Sequence, residues 1–295
     1  MRGEWEAFSI SGASQRRWIR PDGRMHRIML WKPEGAPSEA GYPVLYVLDA
    51  NAVFGTVAEA VRLQTRGPHR LADGAAVVGI GYETNGPFDV ERRFYDYTVR
   101  AEAEELPPRK DGTPWPATGG ADEFLDFLEN ELKPAIEREV PIDRSRQTLI
   151  GHSLGGLLAL RALFSGRGTY RFYAAGSPSI WWKNRWIAAE ARRWAEQASA
   201  PRPLDAGGST RAVRSSEANG RAREADVRLL LAVGGREKPH MVEDARHLYE
   251  RLTAEALPGL QVEYCLYPEE SHLSVLLPFI AKAVRSALEP PATSE

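Results

Sequence analysis

The run Gln147-Thr148-Leu149-Ile150-Gly151-His152-Ser153-Leu154-Gly155-Gly156-Leu157-Leu158 constrains this chain more than any other stretch. It reads as a short apolar strand, a sharp turn carrying Gly-x-Ser-x-Gly, and an amphipathic helix running to about residue 164. A serine on so tight a turn needs neighbours almost without side chain two residues before and after it. Gly151 and Gly155 meet that need, and Gly156 gives further room where the helix packs on the sheet. The turn also aims the backbone N–H groups of the helix start at whatever Ser153 attacks, a ready site for developing negative charge. A glycine-rich strand–helix turn without chemistry is the plain alternative.

The surroundings repeat the same grammar. Residues 5–31 alternate apolar and polar around Arg20-Pro21-Asp22-Gly23-Arg24, which predicts an antiparallel hairpin. Continuous apolar runs predict buried strands at 43–48, 75–80, 172–175, 227–233 and 261–267. Helical periodicity is expected over 51–64, 121–139, 181–198, 241–256 and 275–288. Strands alternating with helices imply a mainly parallel central sheet covered by helices on both faces, with the hairpin as an antiparallel edge. With the serine turn, this pattern predicts an α/β-hydrolase fold. One domain over residues 1–295 is expected, with 200–225, rich in Pro, Gly, Ser, Arg and Ala, as a mobile insertion and 289–295 as a frayed tail.

A net charge of −2 gives no electrostatic footprint for nucleic acid. The single cysteine, Cys265, excludes an intrachain disulfide and reads as a small buried hydrophobe in the last strand. The first residues lack an apolar export segment and no stretch reaches membrane-spanning length, so a soluble, cytoplasmic protein is expected. Histidines and carboxylates do not cluster at ligand spacing, so neither a metal nor a cofactor is expected.

A serine hydroxyl needs a base within hydrogen-bond reach, itself oriented by a carboxylate. In this fold the chain order is serine, acid, histidine, on loops after successive strands. After the strand at 227–233 comes Gly-Gly-Arg-Glu-Lys-Pro-His, which makes Glu237 the candidate acid; Asp244, inside the next helix, is a weaker one. After the strand at 261–267 comes Pro-Glu-Glu-Ser-His-Leu, and His272 alone among the six histidines has both the right order and the right loop. The oxyanion hole needs one N–H from the residue after the nucleophile, Leu154. The other should come from the loop after the strand at 43–48, where Asn51 is the candidate and Ala50 the next.

Several segments together resemble the siderophore esterases of the esterase D-like branch of the α/β-hydrolases. They are Tyr46-Val47-Leu48-Asp49-Ala50-Asn51-Ala52-Val53-Phe54, Arg92-Arg93-Phe94-Tyr95-Asp96-Tyr97-Thr98, Gly119-Gly120-Ala121, the serine turn, and Ser177-Pro178-Ser179-Ile180-Trp181-Trp182. The resemblance implies cleavage of ester-linked siderophores of the enterobactin, salmochelin or bacillibactin type, free or ferric, with Ser153 as nucleophile and His272 as base. Three departures stand out: Ala50 where the pattern has glycine, Val99 where it has proline, and the segment 200–225. A ferric tris-catecholate is anionic and aromatic, so Arg92, Arg93, Trp115, Trp181 and Trp182 are candidates for a substrate wall. Arg92 or Arg93 could instead pair with Asp96. A general carboxylesterase or an S-formylglutathione-type thioesterase is the competing expectation, because the fold and triad specify acyl transfer and leave the acyl group open.

Overall fold

The computed structural model describes residues 5–67, 72, 74–109, 111–199 and 227–289. The expected insertion at 200–225 and nearly all of the expected tail lie outside them. Ala13–Ile19 (β1) and Met25–Trp31 (β2) form the hairpin, turning where Gly23 N–H bonds to Arg20 O (2.9 Å). Tyr42–Leu48 (β3), Ala76–Gly81 (β4), Ile142–His152 (β5), Phe172–Gly176 (β6), Val227–Gly234 (β7) and Leu260–Tyr267 (β8) complete one eight-stranded sheet. Its order is β1-β2-β4-β3-β5-β6-β7-β8. The hairpin joins β4 antiparallel, and every pairing from β4 to β8 is parallel. This is an α/β-hydrolase sheet, and the serine strand β5 lies inside it.

Alternate residues of β3 enter two separate cores. Val44, Tyr46 and Leu48 face one; Leu45 and Val47 face the other. On the second face lie the helices Ala50–Gln64 (α1) and Leu276–Leu288 (α8), through residues such as Val57, Val61, Phe279 and Val284. On the first lie Ala121–Phe127 (α3), Leu154–Phe164 (α5), Trp182–Ser199 (α6) and Pro239–Ala254 (α7). Apolar residues on both faces of each central strand explain the continuous hydrophobic runs.

Four details depart from the sequence expectation. Val90–Tyr97 (α2) is a helix that periodicity did not predict; Asp89 caps it by accepting from Arg92 N–H (3.0 Å). The long helix from Ala121 is broken by a π turn at Leu128–Leu132 before continuing as Lys133–Glu137 (α4). Within α6, Lys183, Asn184 and Arg185 all have positive φ. Cys265 is half-buried rather than buried, because β8 is the sheet's edge.

Candidate active site

Ser153 sits between β5 and α5 with φ 58 and ψ −115, a conformation that side-chain-bearing residues avoid. A Cβ on Gly151 would stand 2.1 Å from Gly155 O, so the turn closes only with glycine there. Ser153 N–H bonds to Gly176 O (2.9 Å), and Leu157 N–H to Ser153 O (3.0 Å) is the first bond of α5. The Leu154 N–H therefore stands ahead of the helix ladder, at the positive end of the helix dipole.

The acid and base candidates meet. The β7–α7 loop brings Glu237 Oε2 to 2.6 Å from His272 Nδ1, which the β8–α8 loop carries. The Glu237 side chain is 1 % exposed and that of His272 40 %, so the candidate base reaches solvent while the candidate carboxylate does not. Glu237 Oε1 accepts from Ser177 Oγ–H (2.5 Å) and Gly234 N–H (2.8 Å). Burial alone would raise the Glu237 pKa, but the hydrogen bonds from His272, Ser177 and Gly234 outweigh it and hold the carboxyl below its ordinary value. Arg236 pairs with Glu269 and not with Glu237, and Asp244 is taken by Arg185 (2.7 Å). Ser153 Oγ bonds to Ser179 Oγ at 3.4 Å in this structure rather than to His272. His152 packs against His272 with ring centroids 4.7 Å apart; burial and the neighbouring imidazole push its pKa down to about 3, so it stays neutral.

The second oxyanion candidate lies at the start of α1. Asp49 adopts the left-handed conformation (φ 51), and Ala52 N–H bonds back to Asp49 O (2.9 Å), with the Ala50 and Asn51 N–H groups ahead of it. The Asn51 side chain turns away into the loop after β4. Its Nδ2 donates to Tyr82 O (3.0 Å) and Thr84 O (3.1 Å), and its Oδ1 accepts from Tyr82 N–H (2.8 Å). Its identity therefore matters more than a bare N–H donor would require.

The candidate wall divides. Trp182 is wholly buried and donates its indole N–H to Val99 O (3.3 Å), so it is core and cannot line a substrate site. Trp115 and Trp181 are partly exposed and lie side by side, centroids 5.8 Å apart, with the Arg109 guanidinium 5.6 Å over Trp115. The arginines are committed inside the protein. Arg93 grips Asp49 with both arms of its fork (3.0 and 2.8 Å), and Arg92 reaches Asp96 (3.4 Å) and Met25 O (3.2 Å) in the hairpin. Asp96 is fully buried between Arg92 and Arg24, and burial raises its carboxyl pKa against the pull of those cations; its place is structural. The sequence reading missed the contacts of Ser177 and Ser179 and the pairing of Arg93 with Asp49. The serines stood in the Ser-Pro-Ser segment, but nothing in their spacing tells which atoms they meet. Among the described residues, no group of three or more His, Cys, Asp or Glu side chains is placed to hold a metal ion.

Comparison with known proteins places this geometry. The Esterase family model matches residues 22–264. The chain belongs to the Esterase family. This esterase is 40 % identical over 293 residues to the ferri-bacillibactin esterase BesA of Bacillus subtilis, covering 98 % of the chain and 93 % of that protein. Over 170 residues it is 41 % identical to the siderophore enterobactin esterase of Emericella nidulans, covering 56 % of the chain and 55 % of that protein. The crystal structure of the BES protein from Bacillus cereus superposes on this esterase with a TM-score of 0.84 at 34 % identity, covering 97 % of the chain and 99 % of that protein.

Proposed function

We propose that this esterase opens the ester bonds of a catecholate-type siderophore or its ferric complex, by two-step acyl transfer. The observation that carries the reading is the Glu237–His272 contact of 2.6 Å beside a strained Ser153, in a chain similar over nearly its whole length to a ferri-bacillibactin esterase. His272 Nε2 takes the proton of Ser153 as Oγ attacks the ester carbonyl. A turn of the Ser153 side chain away from Ser179 makes that approach. The N–H groups of Leu154 and Asn51, or Ala50 in its place, hold the oxyanion; losing one such donor typically costs about 3 kcal/mol of barrier. The imidazolium, held by Glu237, protonates the leaving alkoxide, and water then repeats the sequence to free the acid. Trp115 and Trp181 offer flat faces for catechol rings, with Arg109 as a neighbouring cation. Such an enzyme would act in the cytoplasm, after uptake of the siderophore.

The test is hydrolysis of ferric and iron-free bacillibactin and enterobactin by the wild type and Ser153→Ala, with chromatography of the products and p-nitrophenyl butyrate alongside. Ring-opened products from the wild type alone support the reading. If only the small ester is cut, and Ser153→Ala is inert, the acyl-transfer chemistry stands and the siderophore gives way to a general carboxylesterase.

A further inference from the structure

Two donors besides the imidazole converge on the buried carboxylate, and one of them is a side chain with no other evident task. Ser177 follows β6, is fully buried, and has φ 41, a left-handed conformation that a serine adopts at a cost. Its N–H bonds to Ala232 O (2.7 Å) at the end of β7, and its Oγ–H reaches Glu237 Oε1 at 2.5 Å. With Gly234 N–H also on Oε1, that oxygen is filled from two sides and the carboxylate plane is fixed, leaving Oε2 for His272. No arginine or lysine among the described residues pairs with Glu237. Among the described residues, the titratable and charged groups facing this centre are His272 from the β8–α8 loop, neutral His152 from the end of β5 and, beyond His152, Arg93 from α2.

We propose that Ser177 is a positioning residue of the acyl-transfer reaction: its hydroxyl holds the Glu237 carboxylate so that Oε2 faces His272 Nδ1. This rests on the Ser153–His272–Glu237 reading. Without the hydroxyl, the carboxylate keeps one backbone donor on Oε1 and rotates more freely, so Oε2 faces His272 Nδ1 less often. Its coupling to the imidazolium weakens, so the acid limb of the rate profile moves to lower pH while the rate at the plateau falls.

The experiment measures kcat and KM for p-nitrophenyl butyrate across about pH 5 to 9. It compares full-length wild type, Ser177→Ala, Ser177→Gly, Glu237→Gln and the double variant Ser177→Gly/Glu237→Gln. Glycine accepts the positive φ, so Ser177→Gly keeps the turn where alanine strains it. The expected result is a loss of about ten- to a hundredfold in kcat with little change in KM, the size of a hydrogen bond to a charged group. A downward shift of the acid limb should accompany it, with no further loss when Ser177→Gly is added to Glu237→Gln. Wild-type kinetics in Ser177→Gly beside an impaired Glu237→Gln overturn the role of Ser177 and leave the triad standing. A uniform loss with an unmoved pH profile, additive in the double variant, marks Ser177 as structural and equally overturns the proposal. Wild-type kinetics in Glu237→Gln remove both the acid and the proposal, and Ser153→Ala then separates a Ser–His pair from a wrong site.

Discussion

The Arg93 guanidinium clasps the Asp49 carboxylate through Nε and Nη2 at 3.0 and 2.8 Å, directly behind the serine turn. Asp49 follows β3, donates its N–H to Tyr97 Oη (3.1 Å), and its Oδ2 would lie 3.4 Å from a Cβ on Gly155. The pair thus joins α2, the start of α1 and the start of α5, the last two of which carry the proposed oxyanion donors. Breaking a buried pair from one side leaves the other charge unpaired, at a typical cost of about 3–5 kcal/mol. Arg93→Ala is expected to lower stability by that amount and to reduce kcat with KM for p-nitrophenyl butyrate nearly unchanged. Urea denaturation and steady-state kinetics check it. Undiminished stability, with a raised KM confined to anionic esters, would instead make Arg93 a substrate contact.

The same burial gives acid lability a direction. Burial, then the cations Arg92, Arg20 and Arg24, push His26 down to about 3, with Asp22 opposing; burial and His272 do the same to His152. Both are neutral in the fold, whereas in the unfolded chain they protonate near pH 6.5. The unfolded state binds more protons between those limits, so stability is full above pH ~6.5 and falls as pH drops toward ~3, by about 1.4 kcal/mol per pH unit for each histidine. Glu237, depressed in the fold, loses its contribution only at lower pH, as pH falls through its folded value. Urea midpoints between pH 7 and 5 should therefore decline, and His26→Phe, which keeps the ring stacked on Phe127, should flatten the decline by about half. An equal slope in wild type and variant would sink the assignment.

Neighbouring tryptophans should behave oppositely. Trp182 packs between Phe94 and Trp115 with no exposed surface, so Trp182→Ala is expected to cost about 3–5 kcal/mol of stability. Trp181, partly exposed beside Trp115, should cost far less when replaced by alanine. It should raise KM for aromatic acyl esters by up to about tenfold, the worth of one aromatic contact. Equal KM values for aromatic and aliphatic esters in Trp181→Ala would remove it from the substrate wall.

These contrasts show what the sequence discloses. Strands such as Tyr42–Leu48 and Phe172–Gly176 are legible because burial on both faces writes an unbroken apolar run. The serine turn is legible because its steric demand selects glycines at fixed offsets. Helix α2 is not, since Val-Glu-Arg-Arg-Phe-Tyr-Asp-Tyr carries charge on most of its faces and is held by its Asp89 cap and by ion pairs of Asp96 and Arg93 to distant Arg24 and Asp49. The Arg92–Asp96 pair, four residues apart on that helix, is legible in the sequence, but Arg93's partner Asp49 is decided by how α2 docks. Adjacent Trp181 and Trp182 differ in burial, and no composition marks which of the two faces the core.

The meeting of Glu237 and His272 depends on two loops approaching more closely than side chains allow. Gly235 N–H bonds to Tyr267 O (2.8 Å), and a Cβ on Gly235 would lie 2.7 Å from both Cα and O of Pro268, a backbone that cannot swing aside as a side chain could. Gly235→Ala must therefore push the acid loop and the histidine loop apart. Displacing a positioned catalytic group by about 1 Å typically costs on the order of a hundredfold. Gly235→Ala is accordingly expected to lose about a hundredfold in kcat, with the sheet intact by circular dichroism. Gly55→Ala serves as the matched control: on α1 its Cβ would make ordinary 3.5 Å contact with Ile10, so activity should hold and stability rise by about 0.5–1 kcal/mol. Full activity in Gly235→Ala would mean that the 2.6 Å contact tolerates loop separation, and that the carboxylate contributes less to catalysis than its geometry suggests.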